Sequence, residues 1–314
     1  MSVVRIATRG SDLALAQASW AAERIASALG VDTELVVVST MGDRIQDVSL
    51  AKIGGKGLFI KEIEETLLAG EADVAIHSAK DLPAEIAEGC VLAAFPERAD
   101  PRDALVCREP TATLRGLPKG ARVGTGSTRR TALLRAARPD LEIVPLRGNV
   151  PTRIAKIESD DLAAVVLACA GLDRLGRADA ISERIATDVM LPAVCQGMLA
   201  LEGRAGEALC DDLAVLTSDV NATAAVAERS FLKRLGGDCT IPLAAHCEVS
   251  EDGGIQLRGL VASLDGERIA RARLHGAARN AEALGRDLAE SVLAAGGRKI
   301  LDELRAAGDA QAAS

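Results

Sequence analysis

Aromatic residues are nearly absent from this 314-residue chain, which has no tyrosine, one tryptophan and three phenylalanines. Proteins that bind single-stranded nucleic acids stack bases on aromatic side chains, and the net charge of −8 opposes binding to a phosphate backbone. The sequence also lacks an apolar run as long as a transmembrane helix. We therefore expect neither a nucleic-acid-binding protein nor a membrane-spanning one.

Metal-ligand and disulfide patterns are missing as well. The chain has three histidines and seven cysteines, none of them in a CxxC pair, which predicts no metal site. Its first residues, MSVVRIATRG, lack the apolar core of a signal peptide, so we expect a cytoplasmic protein whose cysteines remain thiols. Cys90, Cys107, Cys169 and Cys210 lie in apolar runs and are predicted to be small core residues.

Arginine, in contrast, is concentrated in one segment of this acidic chain. Seven arginines lie between positions 122 and 153, against two acidic residues. They are Arg122, Arg129, Arg130, Arg135, Arg138, Arg147 and Arg153. The planar guanidinium group binds carboxylates and phosphates through two parallel hydrogen bonds. The segment predicts either a binding pocket for a small polyanion or a solvated basic face.

The order of strand-like and helix-like segments predicts the fold class. A chain of this length suggests two or three domains, and its first half alternates between the two periods, as is typical of α/β proteins. Helices are predicted at 11–29, 58–69, 127–137, 150–157, 206–216 and 220–235. From Cys239 onward, three strand-like segments precede helices near 280–294 and 297–306, which predicts a smaller α+β domain.

Two glycine-rich segments are similar to nucleotide-binding loops but depart from their spacing. VGTGSTRR has Arg129 where a dinucleotide fingerprint has its third glycine, and GGKGLF lacks the spacing of a phosphate-binding loop. Thr125, Ser127 and the following helix start can instead form either a cradle for an anion or a capped surface helix. Between Thr40 and Gly57 the periodic pattern ends in a loop long enough to be a lid.

The segment VAIHSAKDLP, residues 74–83, places charges directly after a buried strand. Lys80 and Asp81 could form an ordinary solvated turn, or a ligand site, because open α/β sheets bind ligands at the carboxyl ends of their strands. His77 is predicted to be packed or hydrogen-bonded, since no serine nucleophile or second base accompanies it. Cys239 follows a glycine pair in a loop, where a thiol would be accessible for chemistry.

Nine motifs, in order and over nearly the whole chain, closely resemble those of the porphobilinogen deaminases, also called hydroxymethylbilane synthases. They are RIATRGSDLALAQA, GGKGLFIKEIE, HSAKDLP, DPRDALV, GTGSTRR, LRGNVPTR, AGLDRLG, LPAVCQG and GGDCTIPLAAH. The resemblance implies a transferase of tetrapyrrole (haem) biosynthesis that joins four porphobilinogen molecules into linear hydroxymethylbilane and releases ammonia. It also implies a dipyrromethane cofactor attached to Cys239, and a monomer whose product passes to a uroporphyrinogen III synthase.

By position, the resemblance implies roles for individual residues. Asp81 matches the catalytic aspartate, whose carboxylate would stabilise the cationic azafulvene that forms as ammonia leaves. The implied cofactor-binding residues are Cys239, Lys80, Asp81, Ser127, Arg129 and Arg130, and the implied substrate-binding residues are Arg9, Ser11, Arg147, Arg153 and Arg174. Lys52 and Lys56 fall in the implied mobile loop, where Phe59 matches a packing position.

This chain departs from the family pattern at four positions. Asp238 stands where the residue before the attachment cysteine is usually glycine, and its charge is expected to disfavour the thiolate. Gly126 replaces a serine, so one cofactor contact is expected to weaken. Thr128 replaces a leucine, and Cys195, where glycine is common, is expected to be a spectator thiol.

The resemblance also predicts the domain organisation. It implies two doubly wound α/β lobes resembling periplasmic binding proteins, joined by two crossings, and a smaller α+β domain that carries the cofactor. The lobes would comprise 1–97 with 198–217, and 98–197, and the α+β domain would comprise 218–314. Two alternatives remain. One is a noncatalytic two-lobed protein that binds a small dicarboxylate, but this function would not explain Cys239. The other is an anion-dependent regulatory protein, but the sequence contains no DNA-binding motif to support it.

Overall fold

The computed structural model describes residues 3–44, 60–237 and 241–312. Within these ranges the strands are β1 (Val3–Arg9), β2 (Asp32–Val38), β3 (Val74–Ser78), β4 (Cys90–Ala94), β5 (Asp103–Cys107), β6 (Arg122–Thr125), β7 (Glu142–Pro145), β8 (Ala164–Ala168), β9 (Glu183–Ile185), β10 (Leu199–Arg204), β11 (Leu243–Val249), β12 (Gly254–Ala262) and β13 (Ile269–Ala277). The helices are α1 (Asp12–Leu29), α2 (Met41–Arg44), α3 (Lys61–Leu68), α4 (Thr128–Ala137), α5 (Val150–Ser159), α6 (Cys169–Arg174), α7 (Ala208–Leu213), α8 (Asp219–Leu235), α9 (Ala281–Val292) and α10 (Arg298–Ala312). The strands form three sheets.

The first sheet has the strand order β2-β1-β3-β10-β4, in which β10 runs antiparallel to both of its neighbours. Successive residues of β1 point to opposite faces of this sheet. Ile6 belongs to the same core cluster as Ile25 of α1, whereas Ala7 belongs to the cluster that contains Ile63 of α3. Helices therefore cover both faces, which confirms the predicted α/β lobe.

The second sheet, β7-β6-β8-β5-β9, repeats this arrangement with β5 as its antiparallel strand. Val123 of β6 packs in one cluster with Leu133 of α4, and Val165 of β8 packs in another with Ile157 of α5. The chain enters this sheet between β4 and β5 and returns between β9 and β10, so that β10 completes the first sheet. These two passages are the predicted crossings between the lobes.

The third sheet is an antiparallel meander, β11-β12-β13, backed by α8 and α9. Its core contains Phe231 of α8 and Leu288 of α9. A Cβ on Gly259 of β12 would lie 2.7 Å from Phe231 Cε2 and 2.7 Å from Leu288 Cδ2, so a glycine is required for this close approach. The sheet confirms the predicted α+β domain.

The local signals for the helices are visible in their caps. Ser11 and Ser127 precede α1 and α4, and each hydroxyl accepts a hydrogen bond from the backbone of the first turn, at Ala14 and Arg130. Gly30 ends α1 in the left-handed region with φ of 65°. These caps explain why the predicted helix starts agree closely with the structure.

The predicted elements differ from the structure at several points, and the short helices α2 and α6 were not predicted. The helix expected at 206–216 is the shorter α7 followed by a 3₁₀ turn at Ala214–Leu216. Strands β4, β9 and β10 were not predicted. Strand β10 contains Glu202 and Arg204 and therefore does not form a simple apolar run. None of the described helices is both long and apolar enough to span a bilayer.

Candidate active site

The residues proposed from the sequence follow the carboxyl ends of parallel strands. In the first lobe, Arg9 ends β1 and Asp81 lies just beyond the adjacent strand β3. In the second lobe, Ser127 follows β6, Arg147 follows β7 and Arg174 lies in the helix after β8. Parallel neighbours end at the same edge of a sheet, so each lobe gathers its candidate residues along one edge.

The end of β3 is held by contacts on both sides. Ser78 and Gln17 of α1 exchange hydrogen bonds of 2.9 and 3.1 Å, and the Ala79 amide donates to the Met198 carbonyl at 3.0 Å. The chain then makes a short 3₁₀ helix, Ala79–Asp81, that leaves the side chain of Asp81 exposed. Asp81 therefore stands on a braced turn and is accessible to a ligand.

His77 points away from this exposed turn and is buried. Its Nε2 lies 2.8 Å from Oε2 of Glu202, which is fully buried on β10. The contact joins β3 to the antiparallel strand of the sheet. The structure thus agrees with the prediction that His77 is hydrogen-bonded, and its partner was not predicted.

Arg129 and Arg130 are buried at the start of α4 and share one acidic partner, Asp103 of β5. Arg129 Nη1 donates to Asp103 Oδ2 at 2.7 Å, and Arg130 Nε donates to Oδ1 at 2.8 Å. Burial alone would raise the pKa of Asp103, but the two guanidinium groups hold that pKa well below its usual range. These three side chains form one charged cluster with a net charge of +1.

Three further cations of the site have depressed pKa values. Burial lowers the pKa of Lys80 to about 8 and that of Arg153 to about 10, and the positive charge of Arg130 adds to both shifts. Asp81 raises the pKa of both groups, which places it within electrostatic reach of each. Burial also lowers the pKa of Arg174 to about 10. Electrostatic coupling thus joins two acids, Asp81 and Asp103, to a larger set of cations, Lys80, Arg129, Arg130, Arg147 and Arg153.

This excess of positive charge suits a ligand with several carboxylates. Buried cations that lack a counter-ion are costly, and a bound carboxylate would remove that cost. Arg129 Nε is buried and has no hydrogen-bond partner in the described part of the chain. Within the same residues no group of His, Cys, Asp or Glu side chains is arranged to hold a metal ion.

The remaining candidates lie at the rim of the two lobes. Ser11 is the N-cap of α1, so its hydroxyl already accepts from the Ala14 amide at 3.3 Å. Arg174 Nη2 donates to the Gly197 carbonyl at 2.8 Å. Helices α1 and α6 approach each other there, because a Cβ on Gly171 would lie 3.6 Å from Leu13 Cδ2. Lys52, Lys56, Phe59, Asp238 and Cys239 fall outside the described residues.

Sequence reasoning missed three buried polar residues that organise the site, Asp103, Gln196 and Glu228. Gln196 donates to Asp103 Oδ1 at 3.1 Å, and Glu228 accepts from Arg98 at 2.7 Å. Asp103 and Glu228 are fully buried. An acid that begins an otherwise apolar strand, as in DALVC, is the signal that could have identified Asp103, because a buried charge requires a partner.

The six described cysteines are all free thiols, and burial raises the pKa of each. Cys107 and Cys169 are core residues as predicted. The prediction was wrong for Cys90 and Cys210, which are half-buried: Cys90 is the first residue of β4, and Cys210 lies in the short helix α7. Cys195 is fully buried with a φ of 56° and a pKa raised to about 12, which makes it a poor nucleophile.

The structure gives a reason for one departure from the family pattern. A Cβ on Gly126 would lie 2.4 Å from the Leu146 carbonyl oxygen, so the backbone here has no room for a serine. Leu146 is itself held against the end of β6, since its amide donates to the Thr125 carbonyl at 3.1 Å. The backbone conformation at Gly126 therefore accounts for the absence of the serine hydroxyl. Nothing in the structure explains Thr128.

Comparisons with known proteins agree with one another. The porphobilinogen deaminase dipyromethane cofactor binding domain matches residues 4–212, and the porphobilinogen deaminase C-terminal domain matches residues 222–294. A porphobilinogen deaminase of Trichlorobacter lovleyi is 48% identical over 303 residues, which cover 96% of each protein. Another, from Syntrophus aciditrophicus, is 50% identical over 306 residues, which cover 96% of this chain and 98% of that protein.

Among solved structures, the periplasmic VFT2 domain of Bordetella pertussis BvgS is 17% identical with a TM-score of 0.40, over 67% of this chain and 85% of that domain. The sequence matches are far stronger and extend over both lobes and the C-terminal domain. They set aside the two alternatives, a dicarboxylate receptor and a regulatory protein. The chain belongs to the porphobilinogen deaminase family, with the deaminase activity and the dipyrromethane cofactor of that family.

Proposed function

We propose that this chain performs porphobilinogen polymerisation with Asp81 as its catalytic residue and Cys239 as the attachment point of its cofactor. The observation that carries the proposal is the arrangement around Asp81. This exposed carboxylate stands within electrostatic reach of Lys80 and Arg153, which are half-buried cations of opposite lobes. A substrate with carboxylate side chains needs cations to bind it, and a ring that becomes cationic needs a carboxylate to stabilise it.

The cationic side chains of the site would bind the carboxylates of the cofactor and the substrate. Each porphobilinogen ring carries an acetate and a propionate, and every ring added to the product increases the negative charge. We infer that Lys80, Ser127, Arg129 and Arg130 hold the cofactor, and that Arg9, Ser11, Arg147, Arg153 and Arg174 hold substrate carboxylates. Charge-assisted hydrogen bonds to guanidinium groups are strong and directional, so these contacts would fix the rings in register. Lys52 and Lys56 would add further positive charge for binding the ligand.

The carboxylate of Asp81 supplies catalysis. As ammonia leaves, positive charge develops on the substrate ring, and a fixed negative charge beside the ring lowers the free energy of that transition state. The braced turn at Ser78–Asp81 keeps the carboxylate from having to reorganise during the reaction. When bound, the dipyrromethane provides the free pyrrole carbon to which the first substrate ring is joined.

The choice of Cys239 is supported by the chemistry of the other cysteines. A thioether forms from a thiolate, and the raised pKa values of the six described thiols disfavour that form. Cys239 is the seventh cysteine of the chain. We also propose that the protein acts as a cytoplasmic monomer and passes its product to a uroporphyrinogen III synthase.

The intact mass of the denatured protein tests this proposal. We expect an adduct of two pyrrole units that survives unfolding, because a thioether is covalent, and a peptide map that places it on Cys239. Cys239→Ser should carry no adduct, whereas the control Cys247→Ser should carry a full one. An unmodified mass in active protein, or an adduct on another cysteine, would refute the proposal.

A further inference from the structure

The segment that follows the turn of Asp81 is held by helix α8 of the C-terminal domain. Arg229 Nη2 donates to the Pro83 carbonyl at 3.1 Å and to the Ala84 carbonyl at 3.2 Å. One turn further along the helix, Lys233 Nζ lies 3.0 Å from Glu85 Oε1. Residues four apart lie on the same face of a helix, so a single face of α8 makes both contacts.

These two contacts differ in their surroundings. The side chains of Lys233 and Glu85 are 65% and 73% exposed, and an ion pair in water contributes little. Arg229 is half-buried, and burial lowers the pKa of its guanidinium group. Hydrogen bonds from a cation to carbonyls are stronger where water is excluded, so Arg229 makes the contact that holds the segment.

Arg229 has no ion-pair partner within the described residues, although an acid precedes it in the chain. The carboxylate of Glu228 is used by Arg98 and by the amides of Cys195 and Cys247. Arg229 Nη1 is buried and has no hydrogen-bond partner in the same part of the chain. A cation that is removed from water without an ion pair costs stability. This cost argues that Arg229 serves the segment that it holds rather than the stability of the fold.

The chain between Asp81 and the contact with Arg229 has little freedom. Leu82 is buried in the same core cluster as Leu232 of α8, and the ring of Pro83 fixes its own φ. A displacement of the Pro83 carbonyl is therefore transmitted to Asp81. The other side of the turn is held by the first lobe, at the end of β3. Asp81 thus stands between one anchor in the first lobe and one in the C-terminal domain.

We infer that Arg229 is a positioning residue that fixes the carboxylate of Asp81 relative to helix α8. This helix ends at Leu235, four positions before Cys239, so the same contact relates Asp81 to the helix that leads to the proposed attachment point of the cofactor. The inference rests on the proposed function and refines it, because the sequence did not single out Arg229. It predicts a loss of rate without a loss of substrate binding when Arg229 is replaced.

The first test measures the mobility of the turn by hydrogen–deuterium exchange in the full-length protein. Exchange of a peptide covering residues 79–87 is followed, with a peptide covering 164–168 as the internal reference. We expect exchange about tenfold faster in Arg229→Gln, because the segment loses a charge-assisted contact and opens locally. Lys233→Gln is the matched control, since it removes the exposed contact to the same segment, and it should exchange at the parental rate. Parental exchange in folded Arg229→Gln would overturn the inference.

The second test compares kcat and KM for porphobilinogen in adduct-bearing protein. We expect Arg229→Gln to lower kcat about tenfold to a hundredfold with KM unchanged, since a misplaced catalytic group slows the chemical step, and Lys233→Gln to match the parent. A purely structural role would lower the melting temperature and leave the kcat of the folded protein intact, and that result would contradict the inference.

The conservative variant Arg229→Lys keeps the charge but not the planar group that bonds two carbonyls. We expect it to recover part of the lost kcat and to show intermediate exchange, and it decides both tests if Arg229→Gln does not fold. Parental kcat and exchange in Arg229→Lys would then contradict the inference. An adduct missing from unsubstituted protein would refute the proposed function instead, and the exchange rates would still decide whether Arg229 holds the turn.

Discussion

Arg98 and Glu228 form a buried ion pair, with Nη1 2.7 Å from Oε1, that ties the first crossing between the lobes to helix α8 of the C-terminal domain. Glu228 also accepts hydrogen bonds from the backbone amides of Cys195 and Cys247, at 2.5 and 2.9 Å. Burial would raise the pKa of Glu228, but Arg98 lowers it to about 2, so the carboxylate is ionised. Glu228 thus links the two crossings between the lobes, at Arg98 and Cys195, with Cys247 of β11.

Removing this carboxylate should destabilise the protein severely. Glu228→Ala leaves Arg98 buried without its partner and two amides without an acceptor, and we expect a loss of about 3–5 kcal/mol in the free energy of unfolding. Urea unfolding measures the loss. Glu303→Ala, which removes an exposed partner of Arg268, is the control and should have little effect. A similar, small effect of both substitutions would show that Glu228 is not a structural junction.

Asp81 should act mainly through its charge. Asp81→Asn keeps the shape and the hydrogen-bonding reach of the side chain but removes the anion, and losing one preorganised electrostatic contact costs roughly a hundredfold to a thousandfold in rate. Because Asp81 is exposed, the fold should be unaffected. Turnover, melting temperature and adduct mass are measured on one preparation. Near-parental turnover in a folded, adduct-bearing variant would show that Asp81 is an ordinary turn residue and not a catalytic one.

The backbone at Gly126 should reject the serine that is usual in the family. In Gly126→Ser the new Cβ would meet the Leu146 carbonyl oxygen at 2.4 Å, so the turn before α4 must shift. We expect a loss of about 1–3 kcal/mol in the free energy of unfolding, as for other overpacked sites. Gly308→Ser is the control, since a Cβ there meets no atom within 4 Å. An unchanged or higher stability of Gly126→Ser would mean that the turn adapts without strain.

Lys80 should give the adduct-free protein a specific pH dependence. An unfolded lysine has a pKa of about 10.4, and that of Lys80 in the folded chain is about 8. Between these values the unfolded chain binds more protons than the folded one, so the Lys80 contribution to stability rises with pH. In the Cys239→Ser background, Lys80→Met should therefore be stabilising at pH 7, and its advantage should shrink as the pH rises from 8 to 10.

Urea unfolding at several pH values tests this prediction. Lys119→Met is the control, because Lys119 is exposed and lies outside the charged cluster. A stabilisation by Lys80→Met that stays constant over the whole pH range would indicate that the lysine acts by packing rather than by its charge.

Local sequence determined the parts of this protein that depend on neighbours along the chain. The helix starts at Ser11 and Ser127 and the alternation of strand and helix follow from short-range sterics and hydrogen bonds, and they were predicted correctly. The left-handed Gly30 that ends α1 has the same local origin but was not predicted. The position of Asp81 after β3 was predicted for the same reason, because a buried strand that ends in charges must end at a surface.

Tertiary structure alone decided which charges meet. Asp103 and Arg129 are 26 positions apart, and Arg98 and Glu228 are 130 apart, so no local pattern could pair them. Strand β10 joins the first sheet only after the chain has built the second lobe, and this return places Glu202 against His77. A buried charge must find its partner wherever folding brings one within hydrogen-bond distance, and that distance is a property of the packed chain.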